Sequence, residues 1–97
     1  MKLKPGCVEA YKQRHDEIWP ELVALLKQSG IVEYHIFLDE ESLLLFAFQK
    51  IASIPQFPED IAKNPIMRRW WAHMADLMEV NPDQSPLVVA CPELFRL

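Results

Sequence analysis

The strongest constraint on the fold of this chain lies between residues 31 and 50. Ile31-Val-Glu-Tyr-His-Ile-Phe-Leu38 is rich in β-branched and aromatic side chains, the types that suit a pleated surface. Asp39-Glu40-Glu41-Ser42 follows as a polar turn, and residues 43–50 form a second apolar run that ends in Gln49-Lys50. Two such runs about one short turn predict an antiparallel hairpin.

The flanks of the hairpin read as helices. Ahead of it, Val8, Tyr11, His15, Ile18, Leu22 and Leu26 recur every three or four residues, one stripe of a helix over residues 7–28. Pro20 interrupts that stripe, because proline removes a helical N–H and crowds the preceding turn, so a kink or break is expected near residues 16–19. Gly30 is a good stop. Behind the hairpin, Asn64-Pro65 supplies an N-cap followed by a first-turn proline. Met67, Trp70, Trp71, Met74, Leu77 and Met78 continue at helical spacing, and the helix is expected to end before Asn81. A short helix is expected near residues 58–63, between Pro58 and Asn64.

At the ends, Met1 and Leu3 alternate with Lys2 and Lys4 as a stub of strand, and Pro5-Gly6 stops it. Residues 87–97 hold a last apolar stretch, with Pro92 implying a bulge, an edge or two short pieces. The resulting order is strand, helix, strand, strand, helix, strand. That is the β-α-β-β-α-β order of a ferredoxin-like α+β fold whose first strand is truncated. Its helices cover one sheet face, and a second copy of the chain is the natural cover for the other.

Composition narrows the function classes. At 97 residues the chain is expected to be one domain, residues 1–97, and small enough to favour dimerisation. The net charge is -4 and the densest basic cluster is Arg68–Arg69, which argues against a nucleic-acid surface. No apolar run approaches the roughly 20 residues of a membrane span. The start lacks a signal-peptide core, and two distant cysteines, Cys7 and Cys91, fit free thiols in a reducing compartment. The expected location is the cytoplasm. His15, His35 and His73 form no close ligand pair, and with two glycines there is no phosphate loop. Metal binding is therefore a poor fit.

Four features can carry chemistry. Tyr11 and His15, four apart, share a helix face. An imidazole can give and take a proton near neutral pH, although on spacing alone a core or surface histidine is the simpler reading of His15. Tyr34 and His35 are neighbours on a strand and must point to opposite faces, so one at most faces a given pocket. Trp70 and Trp71 diverge by about 100° on a helix, so two readings stand side by side: one packs inside while the other lines a pocket, or both anchor the helix. Indole faces suit the C–H face of a sugar, and the indole N–H suits its hydroxyls. Residues alone therefore give a small α+β domain with an aromatic, histidine-bearing pocket and no named substrate.

The run Tyr11-Lys-Gln-Arg-His15-Asp-Glu-Ile-Trp19-Pro20-Glu21-Leu22 resembles the signature helix of the L-rhamnose mutarotase family. The resemblance continues in Tyr34-His-Ile-Phe-Leu38-Asp39, Leu45-Phe46, Arg69-Trp70-Trp71-Ala-His-Met74-Ala-Asp76, Asn81-Pro-Asp-Gln-Ser-Pro86 and Glu93-Leu-Phe95, in order over nearly the whole chain. It implies a dimeric ferredoxin-like α/β-barrel without metal or organic cofactor that interconverts α- and β-L-rhamnose. It implies His15 as proton donor and Tyr11, Tyr34, Trp70 and Trp71 as sugar-contacting residues. Ring opening needs a proton delivered to the ring oxygen while the anomeric hydroxyl loses one, an exchange suited to histidine.

Two departures stand out. Members of the family begin several residues ahead of Met1, which leaves only the tail of the first strand here, through a late-assigned start or a shortened chain. The segment Ile54-Pro55-Gln56-Phe57-Pro58 matches poorly. The rival readings are a cofactor-free monooxygenase-like activity on the same architecture and a non-catalytic small-ligand binder.

Overall fold

The computed structural model describes residues 1–52 and 61–97. The hairpin is its frame. β1 (Ile31–Asp39) and β2 (Leu44–Ile51) pair antiparallel, with Tyr34 opposite Gln49, Phe37 opposite Phe46 and Leu38 opposite Leu45. The turn is built by Asp39. Its carboxylate accepts from the Ser42 hydroxyl at 2.6 Å and from the Glu41 N–H at 3.3 Å, an Asx-type turn. Leu43 then takes a left-handed φ of 63°, rare for a branched side chain, and its carbonyl accepts from the Leu3 N–H at 2.9 Å.

The interrupted helical stripe is two helices. α1 spans Val8–Asp16 and α2 spans Pro20–Gln28, so Pro20 stands at the first position of α2, where its missing N–H costs nothing. Trp19 ahead of it is forced into extended backbone, φ −64° and ψ 131°. α2 ends at Gln28 with Ser29 as its C-cap, and Gly30 follows with a φ of 99° that a side chain would resist. After a short 3₁₀ turn at Ile61–Lys63, α3 spans Pro65–Met74 and is capped by Asn64, whose side chain accepts from the Ile66 N–H at 2.9 Å. The expected helix near 58–63 survives as that turn; residues 58–60, like the Ile54–Pro58 segment, lie outside the described residues.

Two expectations need correction. The helix over Met67–Met78 stops at Met74. The Leu77 carbonyl accepts from the Lys4 N–H and the Glu79 N–H donates to the Lys2 carbonyl, both at 2.9 Å, so the first residues of the chain draw this segment out of the helix. Tertiary pairing outweighs local helical preference there. Nor do residues 87–97 form the closing strand. Met78 bridges Leu3 and Val80 bridges Pro86, and those are the sheet-like contacts of that end. Pro86 and Pro92 have no N–H to donate to a ladder, and Val89, Leu94 and Phe95 lie exposed.

The stub of strand at the start is real but short: Lys2 bridges Leu44 and Leu3 bridges Met78, both antiparallel. The core lies between one sheet face and the helices, with Leu3, Leu22, Leu25, Leu45, Trp70, Met74, Leu77 and Met78 buried around Tyr11. The other sheet face carries Leu44, Phe37, Phe46 and Phe48 in the open. Among the described residues no helix is long and apolar enough to cross a membrane. Cys7 and Cys91 are free thiols.

Candidate active site

A cavity of about 540 Å³ opens between α1 and the covered sheet face, within the usual size of a small-molecule pocket. Leu3, Ile36, Leu38 and Leu45 give it an apolar floor. Tyr11 and His15 enter from α1 and Tyr34 from β1, so the polar groups converge on a greasy surface. Lys12 and Asp16 stand at the rim, paired with each other at 2.8 Å.

His15 sits in the last turn of α1. Its Nδ1 lies 3.0 Å from the Tyr11 carbonyl oxygen. A carbonyl only accepts, so Nδ1 must carry the hydrogen, and Nε2 is left to take up and release a proton. The ring is flanked on two sides. Tyr11 tilts against it at 4.4 Å between centroids, and Trp70 meets it edge-on at 5.4 Å. Fixing both the tautomer and the plane of an imidazole is what a proton-transfer residue requires.

The two tyrosines are held as neutral phenols. Burial pushes the Tyr11 phenol well above its usual range, and the nearby Tyr34 adds to the effect. Burial raises the Tyr34 phenol as well. Both therefore keep an O–H to donate to a ligand oxygen.

Of the five expected site residues, the structure brings three to the cavity: Tyr11, His15 and Tyr34. Tyr34 and His35 do point to opposite faces. His35 stands on the outer face with its ring 6.3 Å from Phe37 and 6.2 Å from Phe48. Trp70, 6% exposed, lies behind His15 and outside the cavity lining, and Trp71 is half-buried against the core. Both indoles pack against the core, Trp70 buried and Trp71 partly so, and neither lines the cavity, so the expected division between a packing indole and a pocket-lining one is not what the structure shows.

Sequence reasoning missed the support behind His15. Trp19 meets Trp70 edge-on at 5.2 Å and lies 5.5 Å from the His73 ring. Arg14 reaches across to α3, with Nη1 2.6 Å from the His73 carbonyl and 2.7 Å from Asp76 Oδ1, and Nη2 3.2 Å from Asp76 Oδ2. The guanidinium holds the Asp76 carboxyl below the usual carboxylate range. Arg14 and Asp76 are 62 residues apart, and no local pattern announces such a pair. Among the described residues no group of three potential metal-binding side chains gathers.

Comparison with known proteins identifies the family. A protein-family model described as L-rhamnose mutarotase matches residues 1–97. The L-rhamnose mutarotase of Formosa agariphila is 52% identical over 97 residues, covering 100% of this chain and 92% of the relative. That of Flavobacterium johnsoniae is also 52% identical, with 90% of the relative covered. The crystal structure of an L-rhamnose mutarotase from Formosa agariphila superposes with a TM-score of 0.91 at 50% identity, over 100% of this chain and 92% of the other.

Proposed function

The chain belongs to the L-rhamnose mutarotase family, and we propose that it interconverts the α- and β-anomers of L-rhamnose with His15 as the proton-transferring residue. The observation that carries the reading is the His15 imidazole, standing in an apolar cavity beside two neutral phenols with its Nδ1 tied to the Tyr11 carbonyl. In the forward step protonated His15 donates from Nε2 to the pyranose ring oxygen, the anomeric hydroxyl passes its proton to a water or carboxylate acting as the complementary base, and the C1–O bond to the ring breaks. The result is the open aldehyde. Rotation about the C1–C2 bond presents the other face of the carbonyl. Closure reverses both transfers: the attacking hydroxyl returns its proton to His15 and the complementary base returns the other to the carbonyl oxygen, so no net proton or electron is consumed.

Tyr11 and Tyr34 donate hydrogen bonds to sugar hydroxyls and fix the ring over the imidazole. The apolar floor of the cavity receives the C6 methyl, a difference of one methyl-sized group that discriminates by roughly 1–3 kcal/mol. Trp70 and Trp71 complete the proposed set, supported by the contact of Trp70 with His15.

The same reading includes one domain over residues 1–97, a ferredoxin-like fold, a cytoplasmic location and a homodimer. In support of the fold, the antiparallel bridges set Met78, Leu3, β2 and β1 side by side in that order. In support of the dimer, Phe37, Phe46 and Phe48 are 60%, 52% and 56% exposed on one flat face, a surface a second copy would bury.

Equilibrium-exchange NMR on L-rhamnose tests the proposal. The protein should exchange the anomers faster than they exchange alone, and His15→Ala should lose on the order of 10²–10⁴ of that acceleration. A folded His15→Ala protein as fast as the parent removes His15 from the mechanism. A parent protein without effect on the anomers removes the function.

A further inference from the structure

We propose that Arg14 is a positioning residue, locking the last turn of α1 to the end of α3 and so holding the His15 imidazole at its working angle. The inference rests on the functional reading above and extends it to a residue outside the cavity lining.

α1 has nine residues, and His15 is the last but one. The last turn of a helix has carbonyls without helical partners and is the part that opens first. No glycine closes α1: the N–H of Glu17 returns to Gln13 and that of Ile18 to His15. Among the described residues, the hydrogen bonds joining side chains of this turn to another element are those of Arg14. The Lys12–Asp16 pair stays within α1, and the His15 ring bonds back to Tyr11.

The receiving end is suited to a cation. The His73 carbonyl lies in the last turn of α3, where helix carbonyls present partial negative charge, and the Asp76 carboxylate stands beside it. The guanidinium fork satisfies both, two nitrogens to two carboxylate oxygens and one also to the carbonyl. Trp70, His73 and Asp76 follow one another at intervals of three. The clamp therefore sits next to the place where Trp70 meets the edge of His15 at 5.4 Å. Arg14 and His15, adjacent in sequence, make the polar and aromatic contacts of one helix end with one helix end. Tyr11, a turn earlier and buried in the core, does not depend on that clamp.

The argument separates binding from turnover. Loosening the clamp leaves the phenols and the apolar floor in place but lets the imidazole swing, and small misplacements of a reacting group cost rate steeply. A lysine cannot replace the fork, since it offers one nitrogen to three acceptors.

The test uses the full chain. Exchange NMR on L-rhamnose over a range of sugar concentrations gives kcat and KM for the parent and for Arg14→Lys. The ring-proton resonances of His15, shifted by the Tyr11 and Trp70 ring currents, report its orientation. The expected result is kcat lower by about 10-fold or more, KM changed by less than about 2-fold, displaced His15 resonances and little change in Tm, because exposed ion pairs contribute little to stability. Unchanged kcat and resonances in a folded variant overturn the proposal, and so does a raised KM with kcat intact. Should Arg14→Lys fail to fold, Asp76→Asn keeps the carbonyl contact and weakens the charged arm; kcat should fall by a few-fold, and an unchanged kcat overturns the role. A parent protein that leaves the anomers at their uncatalysed rate overturns the functional reading instead, whereas an active parent with an indifferent Arg14→Lys overturns the positioning role alone.

Discussion

Leu3 tests how much of this fold depends on its first few residues. Its side chain is 1% exposed and, like that of Leu22, fully enclosed. Its backbone is the middle rung of the sheet: the Leu3 N–H donates to Leu43 at 2.9 Å, and Leu3 bridges Met78 on the other side. The Leu45 N–H donates to the Met1 carbonyl at 2.7 Å beside it. Leu3→Ala leaves those backbone bonds intact and deletes three carbons from the floor of the core. Leucine-to-alanine changes at such sites lose about 2–5 kcal/mol, partly as transfer energy and partly as the cavity left behind, and about 3 kcal/mol is expected here. In a domain of this size each kcal/mol moves Tm by roughly 4–8 °C, so Tm should fall by about 12–24 °C. Urea titration at fixed protein concentration should show a lower midpoint at constant m. Leu97→Ala, at a fully exposed position, should stay within about 0.5 kcal/mol. A loss below about 1 kcal/mol for Leu3→Ala would mean that residues 1–4 lie on the fold without holding it.

Two further outcomes follow from the surfaces around the site. The chain has two tyrosines, Tyr11 and Tyr34, and burial raises both phenols, the 8% exposed Tyr11 more than the 45% exposed Tyr34; absorbance at 295 nm should show the Tyr11 phenol still un-ionised past the ordinary value of about 10 while the protein is folded. Because the folded value of Tyr11 lies above the unfolded one, the stability it contributes is complete below about pH 10 and is lost as pH rises through the folded value; both phenols titrating near 10 in the folded protein refutes the description of Tyr11 as a buried donor. On the outer sheet face, Phe46→Asp should convert a dimer to a folded monomer in analytical ultracentrifugation, and an unchanged mass refutes that face as the interface.

The legibility of this chain follows the range of its interactions. The hairpin could be read because both its strands and its turn are written locally, down to Asp39 and Ser42 as the turn's own hydrogen-bonding pair. The opposition of Tyr34 and His35 could be read because strand geometry leaves no alternative. The end of α3 could not be read, since Leu77 and Met78 keep helical spacing and are buried as that spacing suggests, yet the Leu77 carbonyl and the Glu79 N–H bond to Lys4 and Lys2, over seventy residues away in sequence. The Arg14 clamp is hidden for the same reason. Residues 87–97 looked like a strand because they are apolar, but apolar character specifies burial and not a partner, and among the described residues Val89 and Phe95 stay largely exposed.

Pro20 shows how a locally legible signal can have a distant meaning. As sequence it is an interruption of a helical stripe. In the structure it ends one helix and begins another, which costs the continuity of a helix over residues 8–28 and places His15 in a final turn that needs support. The same proline supplies part of that support. By holding Trp19 in extended backbone it brings the Trp19 ring to the edge of Trp70 at 5.2 Å and beside His73 at 5.5 Å. Trp70 in turn meets His15 at 5.4 Å. A helix running unbroken through residues 17–19 would carry Trp19 in helical backbone and lose that buttress, while His15 would gain the rigidity of a helix interior. The chain has taken the other solution, a short helix end braced from outside by an aromatic row on one side and an arginine clamp on the other. That arrangement is consistent with an imidazole that must stay in one orientation while it passes a proton back and forth.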